Sequence, residues 1–263
     1  MQASCLTDHL VPGTNDVYYI SEFVTEEEEA LLIRKIRESP LPKWKQLANR
    51  RLQIWGGSMT AKKMLIPESL PAFVTKYPDI VGRIKATGAF HSSPHGAPNH
   101  VLMNEYLPGQ GIMPHEDGPA YHSVVATLSL GSHTMFHYYR YNSRGGTVES
   151  DKYSDDAQGD GRPIDPIPVL SVLLERRSLV ITTTTFYRSY LHGIDAVTED
   201  RFSPSIADGD KQSTPTVANV DLLAGSTERA AVLNGGVLER DIRYSLTCRD
   251  VEKVASGLPF VKR

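Results

Sequence analysis

The stretch Arg243-Tyr244-Ser245-Leu246-Thr247-Cys248-Arg249 alternates between polar and apolar side chains. Successive side chains of a β-strand point to opposite faces. Arg243, Ser245, Thr247 and Arg249 therefore share one face, and Tyr244, Leu246 and Cys248 the other. The pattern predicts a strand over Arg243–Val251, polar on its inner side and apolar behind. The arginines stand about 20 Å apart along such a strand, at roughly 3.3 Å per residue. Long guanidinium arms reaching inward could clamp the two ends of a short dicarboxylate. Taken alone, the stretch also reads as an exposed amphipathic strand with two solvated arginines.

Working outward, Val101–Leu107, Val124–Leu130, Thr134–Tyr141, Val169–Leu174 and Leu179–Thr185 are rich in β-branched and aromatic residues. Short strands punctuated by Gly and Pro predict a mainly β fold, an antiparallel sandwich or jelly roll. The N-terminal part differs. Val17–Ile20 reads as a short strand, and Thr25 with Glu28 forms a capping box for a helix that Pro40 ends. A second helix is expected over Pro71–Ala86. Between the helices, Lys43, Lys45, Arg50 and Arg51 are interleaved with Trp44 and Trp55 before a Gly56-Gly57 turn. These side chains read as phosphate contacts and base-stacking platforms, or as a solvated face around core tryptophans. The chain thus divides into a helical N-terminal extension (1–98), a β-domain (99–251) and a tail (252–263). Stretches 142–168 and 199–241 exceed ordinary loop length and read as insertions or lids.

Composition narrows the function classes. The 263 residues are 40% hydrophobic, which is enough for a real core and excludes disorder along the whole length. Twenty-eight Lys and Arg against 31 Asp and Glu leave a net charge of −3, so nucleic acid would have to be held by a local patch. Two cysteines, Cys5 and Cys248, exclude a disulfide scaffold, a Cys-based zinc site and a disulfide-linked partner. No apolar run is long enough to span a bilayer, and Met1–Asp8 lacks the features of a signal peptide. A cytoplasmic or nuclear location is expected.

Chemistry enters with His115-Glu116-Asp117. In an extended segment residues i and i+2 face the same side, so His115 and Asp117 can reach one metal ion while Glu116 points away. His192, in Tyr190-Leu191-His192-Gly193, is the best third candidate. Two histidines and a carboxylate form the facial triad of non-haem Fe(II) sites, which leaves coordination positions open. Just upstream, Asn104 and Tyr106 of Asn104-Glu105-Tyr106-Leu107-Pro108-Gly109 share one strand face and carry groups suited to an anion.

The order N-x-Y-x-P-G, H-x-D, a distant H, then R-x-[NS]-x-T-x-R resembles the AlkB family of Fe(II)- and 2-oxoglutarate-dependent dioxygenases. The similarity covers roughly residues 99–250 and extends into the N-terminal part through Pro42-Lys43-Trp44 and Gln53-Ile54-Trp55-Gly56-Gly57. It implies a double-stranded β-helix (jelly roll) whose N-terminal extension forms a nucleotide-recognition lid. It also implies that His115, Asp117 and His192 ligate Fe(II), and that Arg243 and Arg249, with Asn104 and Tyr106, hold 2-oxoglutarate. Ser245 stands where the family has asparagine; its shorter side chain lacks the amide donors, which leaves room for water in that contact. The implied reaction uses O2 to demethylate N-alkylated bases of DNA or RNA, releasing formaldehyde, succinate and CO2. Two alternatives remain from the residues themselves. One is the same chemistry on a protein or small molecule, and the other a nucleic-acid-binding jelly roll without turnover.

Overall fold

A computed structural model describes residues 5–142, 162–203 and 216–255. The first half of the chain forms β1 (Val17–Ile20), α1 (Glu26–Arg37), β2 (Lys45–Leu47), β3 (Arg50–Trp55), β4 (Gly57–Met59), β5 (Leu65–Pro67), α2 (Ala72–Thr75), α3 (Ile80–Ala86), β6 (His100–Tyr106), β7 (Ile112–His115) and β8 (Tyr121–Leu130). The second half forms β9 (Thr134–Tyr139), β10 (Leu170–Leu174), β11 (Leu179–Thr183), α4 (Thr184–Ser189), β12 (Leu191–Ile194), β13 (Glu199–Phe202), α5 (Ser226–Asn234), β14 (Gly236–Glu239) and β15 (Arg243–Val251).

Seven strands make the major sheet, in the order β1-β11-β8-β15-β6-β3-β2. Four make the minor sheet, β10-β9-β12-β7, and both are antiparallel throughout. The sheets face each other across Tyr19, Phe136, Tyr138, Val172, Leu174 and Val180, and Tyr138 Oη hydrogen-bonds Thr182 Oγ1 at 2.6 Å across the gap. This two-sheet sandwich is the expected jelly roll.

Strand β15 sits in the middle of the major sheet, between β8 and β6. Its rear side chains Tyr244, Leu246 and Cys248 are buried in a second core, where Leu32, Ile36, Val74, Ile80 and Ile84 of the helices pack on the sheet. The alternation read from the sequence therefore has a cause on each side: an apolar helical layer behind, and in front the polar Asn104 of β6 and Ser129 of β8. Thr25 and Glu28 form the capping box of α1 as expected. The acidic run at the start of α1 also has structural work, since Glu28 pairs with Arg83, and Glu29 with Arg176 at 2.5 Å.

Several expectations need correction. The single helix over Pro71–Ala86 is two short ones, because Pro78 cannot donate a backbone hydrogen bond and disfavours a helical residue before it. Asp79 then caps α3 through Gly82 N, at 2.8 Å. The strand expected to reach Thr185 stops at Thr183, where α4 begins. The distant Asp16 holds that helix start, accepting from Thr184 Oγ1 at 2.5 Å and from Thr185 N at 3.2 Å. The boundary drawn at residue 98 cuts through one sheet, since β1, β2 and β3 complete the major sheet. Within the two stretches read as insertions, residues 143–161 and 204–215 lie outside the described residues, as do 256–263 of the tail. The rest of the second stretch holds the β13–β14 hairpin and α5. The Gly56-Gly57 turn is where expected: a Cβ on Gly56 would lie 2.1 Å from the carbonyl oxygen of Asn99.

The rear core sets the stability. Leu246→Ala, in a fully buried position, is expected to cost about 2–5 kcal/mol. Leu41→Ala, at a side chain 79% exposed, is expected to stay within about 0.5 kcal/mol. Urea denaturation of both variants checks the contrast.

Candidate metal centre and co-substrate pocket

His115 is the last residue of β7 and lies directly across from His192 of β12 in the sheet register. Asp117 follows two residues later, in the loop leaving β7. The three offer one ligand atom each, all within 4.8 Å of one another, and no other such cluster occurs among the described residues. The imidazole rings are 4.4 Å apart between centroids, and Phe136 stacks on His192 at 5.4 Å. His115 Nδ1 lies 2.9 Å from the Met113 carbonyl oxygen. A carbonyl can only accept, so Nδ1 carries the proton and Nε2 is left with its lone pair for a metal.

Protonation states agree with that use. Burial pushes the His115 pKa down, and that of His192 down to about 4, so both rings are neutral near pH 7. Burial by itself would raise Asp117, but the Arg249 guanidinium and the two histidines hold it below the ordinary carboxylate value. Neutral imidazoles and an ionised carboxylate are what metal ligation requires. Asp117 Oδ1 accepts a hydrogen bond from Arg249, whereas Oδ2 is buried with no partner. An orphaned carboxylate oxygen beside two imidazole nitrogens fits a divalent cation.

The co-substrate residues form the adjoining wall. Arg243 pairs with Tyr106 in the register, and Ser245 pairs with Asn104 on one side and Ser129 on the other. Arg243, Ser245, Asn104 and Tyr106 are all buried. One Arg243 nitrogen donates to Ser129 Oγ at 2.8 Å; Nε and Nη1 are buried without a partner. Burial pushes the Arg243 pKa down to about 10, still charged at neutral pH. No carboxylate among the described residues pairs with it, so a buried cation with free donors faces this cavity. A carboxylate from a ligand would satisfy it. Arg249 stands at the other end, against Asp117, with the Tyr121 ring 4.9 Å away. A dicarboxylate with a metal-chelating end fits this donor set.

The structure divides the cationic–aromatic patch. Trp55 is buried in the rear core, edge-on to Phe73, with Nε1 donating to Gln53 Oε1 at 3.0 Å. Arg51 also faces rearward, held bidentately by Glu105 at 2.5 and 2.7 Å and lying 4.0 Å over the Trp44 ring. Base stacking by Trp55 is therefore not available, and Trp44 and Arg51 stand on the opposite face of the sheet from the triad. Their neighbours one residue over are on the near face: Lys45 pairs with Leu52 in the register, and Arg50 reaches Asn104. Lys45 and Lys43 are exposed. Two residues of this region escaped the sequence reading. Ser129 is set against Arg243 only by strand pairing, and Tyr187 donates to the Gly118 carbonyl beside Asp117 at 3.2 Å from a helix that read as a strand end. No spacing in the sequence signals either.

A family model described as the 2OG-Fe(II) oxygenase superfamily matches residues 16–249, and the chain belongs to that superfamily, whose members use Fe(II), 2-oxoglutarate and O2. Within it, the AlkB resemblance is borne out by a Danio rerio protein named Probable RNA/DNA demethylase ALKBH6. That protein is 39% identical over 249 residues, covering 93% of this chain and 89% of its own. Uncharacterized protein L905 of Acanthamoeba polyphaga mimivirus is 30% identical over 127 residues, covering 48% of this chain and 58% of its own. The solved structure of OsALKBH1 is similar over 92% of this chain and all of that one, with 16% identity and a TM-score of 0.48.

Two measurements test the site. Mn(II) at about a hundredfold its Kd should stabilise the protein by about 2.7 kcal/mol in thermal unfolding. His115→Ala and His192→Ala should each remove that gain. Arg243→Met should abolish 2-oxoglutarate binding by calorimetry yet stabilise the ligand-free protein by about 1–4 kcal/mol, because an uncompensated buried charge is replaced by an apolar chain. A loss of stability would contradict the unpaired state of Arg243.

Proposed function

We propose that this oxygenase is an oxidative demethylase of N-alkylated bases in RNA or DNA. The observation that carries the reading is the buried, carboxylate-free Arg243 next to the His115–Asp117–His192 cluster, in a chain 39% identical to a protein named as an RNA/DNA demethylase. The residues divide the work. His115, Asp117 and His192 would hold the iron. Arg243 takes one carboxylate of 2-oxoglutarate, with Tyr106, Asn104 and Ser245 around it, and Arg249 guards the end nearest the metal.

With iron, 2-oxoglutarate and O2 bound, the centre supplies hydroxylation of a C–H bond while the co-substrate loses CO2 to become succinate. A hydroxylated N-methyl group then falls apart to formaldehyde and the bare base. The protein needs no acid–base pair for this. Its part is to orient the methyl carbon, to exclude water around the pocket, and to keep both imidazoles neutral through burial. Lys45 and Arg50, on the near face of β2 and β3, favour an anionic substrate. Single strands are the cheaper substrate, since a base in a duplex would first have to be flipped out. The reduced Cys5 and Cys248 thiols suit the cytoplasm or nucleus.

The test is succinate and formaldehyde release after O2 is admitted to anaerobically loaded protein, with and without methylated oligonucleotides. Expected are equimolar succinate and formaldehyde with a methylated single strand, and neither product with His115→Ala. Succinate release independent of any oligonucleotide would move the substrate to a protein or small molecule.

A further inference from the structure

Arg50 and Arg51 are neighbours in β3 with opposite surroundings. Arg51 is spent on Glu105 behind the sheet. Arg50 points into the sandwich, where its Nε donates to Asn104 Oδ1 at 3.0 Å. It is half-buried and forms no ion pair among the described residues. A guanidinium cannot accept, so this bond fixes which way the Asn104 amide is turned: the oxygen faces Arg50, and the NH2 is the donor left over. Asn104 itself pairs with Ser245, between Arg243 and Arg249 on β15 and nearer Arg243.

The charge of Arg50 also bears on the inner pocket. Burial raises the Tyr106 pKa, and among the cations opposing that rise Arg50 acts most strongly, ahead of Arg243 and Arg249. Outward from Arg50 the same face opens to solvent, with Lys45 exposed, Leu47 39% exposed and Ile54 38% exposed. One side chain thus stands between the enclosed pocket and an open cationic and apolar rim. Its two terminal nitrogens meet no carboxylate among the described residues.

We propose that Arg50 is a positioning residue spanning both subsites: its Nε holds the Asn104 amide in place against 2-oxoglutarate, and its terminal nitrogens take a phosphate of the single-stranded substrate at the rim. This rests on the nucleic-acid reading above. It makes co-substrate and substrate binding share one guanidinium, whose planar fork can serve two partners at once.

Two binding measurements without turnover test it, on Mn(II)-loaded protein. One is calorimetric titration with 2-oxoglutarate, and the other is fluorescence anisotropy of a labelled single-stranded oligonucleotide carrying an N-methylated adenine, at several salt concentrations. Arg50→Ala and Asn104→Ala should each weaken 2-oxoglutarate about tenfold, and the double variant should lose no more than either single one. Arg50→Ala should also flatten the log–log salt dependence of oligonucleotide binding by about 0.7, one phosphate contact on a single strand. Asn104→Ala should leave that slope unchanged. Arg50→Lys keeps the charge without the fork, so it should retain the slope while losing 2-oxoglutarate affinity. Additive losses, or an unchanged slope in Arg50→Ala while wild type binds normally, would overturn the proposal and leave the nucleic-acid reading standing. Wild type that binds 2-oxoglutarate but not the oligonucleotide would overturn both.

Discussion

Arg243 is buried at the start of β15 with two of its guanidinium nitrogens unpartnered, and much of the architecture serves to keep it there. A charge so placed is destabilising, so the strand carrying it must be anchored by something else. That anchor is the other face of β15. Tyr244, Leu246 and Cys248 are sealed against the helical layer, and β8 and β6 hold the strand from both sides. Apolar burial behind the sheet offsets an unsatisfied cation in front of it. The result is a rigid donor array already in place before any ligand arrives, which lowers the ordering cost of binding.

The metal cluster follows the same logic with the opposite charge. Burial opposes the charge on Asp117, and Arg249, foremost among the groups that offset it, supplies the main counter-charge. Arg249 lies on β15 of the major sheet and Asp117 in the loop leaving β7 of the minor one, so their pairing ties the two sheets together at the metal site. The pair keeps the carboxylate ionised, while its second oxygen remains free. The two arginines of a single strand thus do different electrostatic work, Arg243 without a carboxylate among the described residues and Arg249 paired beside the metal ligands.

Much of this was legible in the residues. The alternation over Arg243–Arg249 placed the two faces of β15 correctly, and His115, Asp117 and His192 do come together. Legibility failed where the cause was non-local. Arg50 and Arg51 look alike in sequence; which one faces the pocket depends on the register of β3 against β6, a one-residue matter that periodicity does not resolve. Trp55 sits beside cations in the chain yet belongs to the rear core. The threonine run Thr182–Thr185 has strand character, and its turn into α4 depends on Asp16, far away in the sequence. Helix α5 buries none of its residues, so it has no apolar stripe to be read.

The contact between Asp16 and α4 has a consequence for how the protein is made. Strand β1 and Asp16 are made long before their partners in residues 179–185, so neither can be placed until those residues have been synthesised. Helix α4 in turn carries Tyr187, which holds the loop beside Asp117. Strand β1 thus docks only after β11 has been made, and the loop bearing a metal-site carboxylate gains this support only then. Until β11 has been made, β1 lacks the strand it pairs with, and in that interval it is open to pairing with the wrong strand.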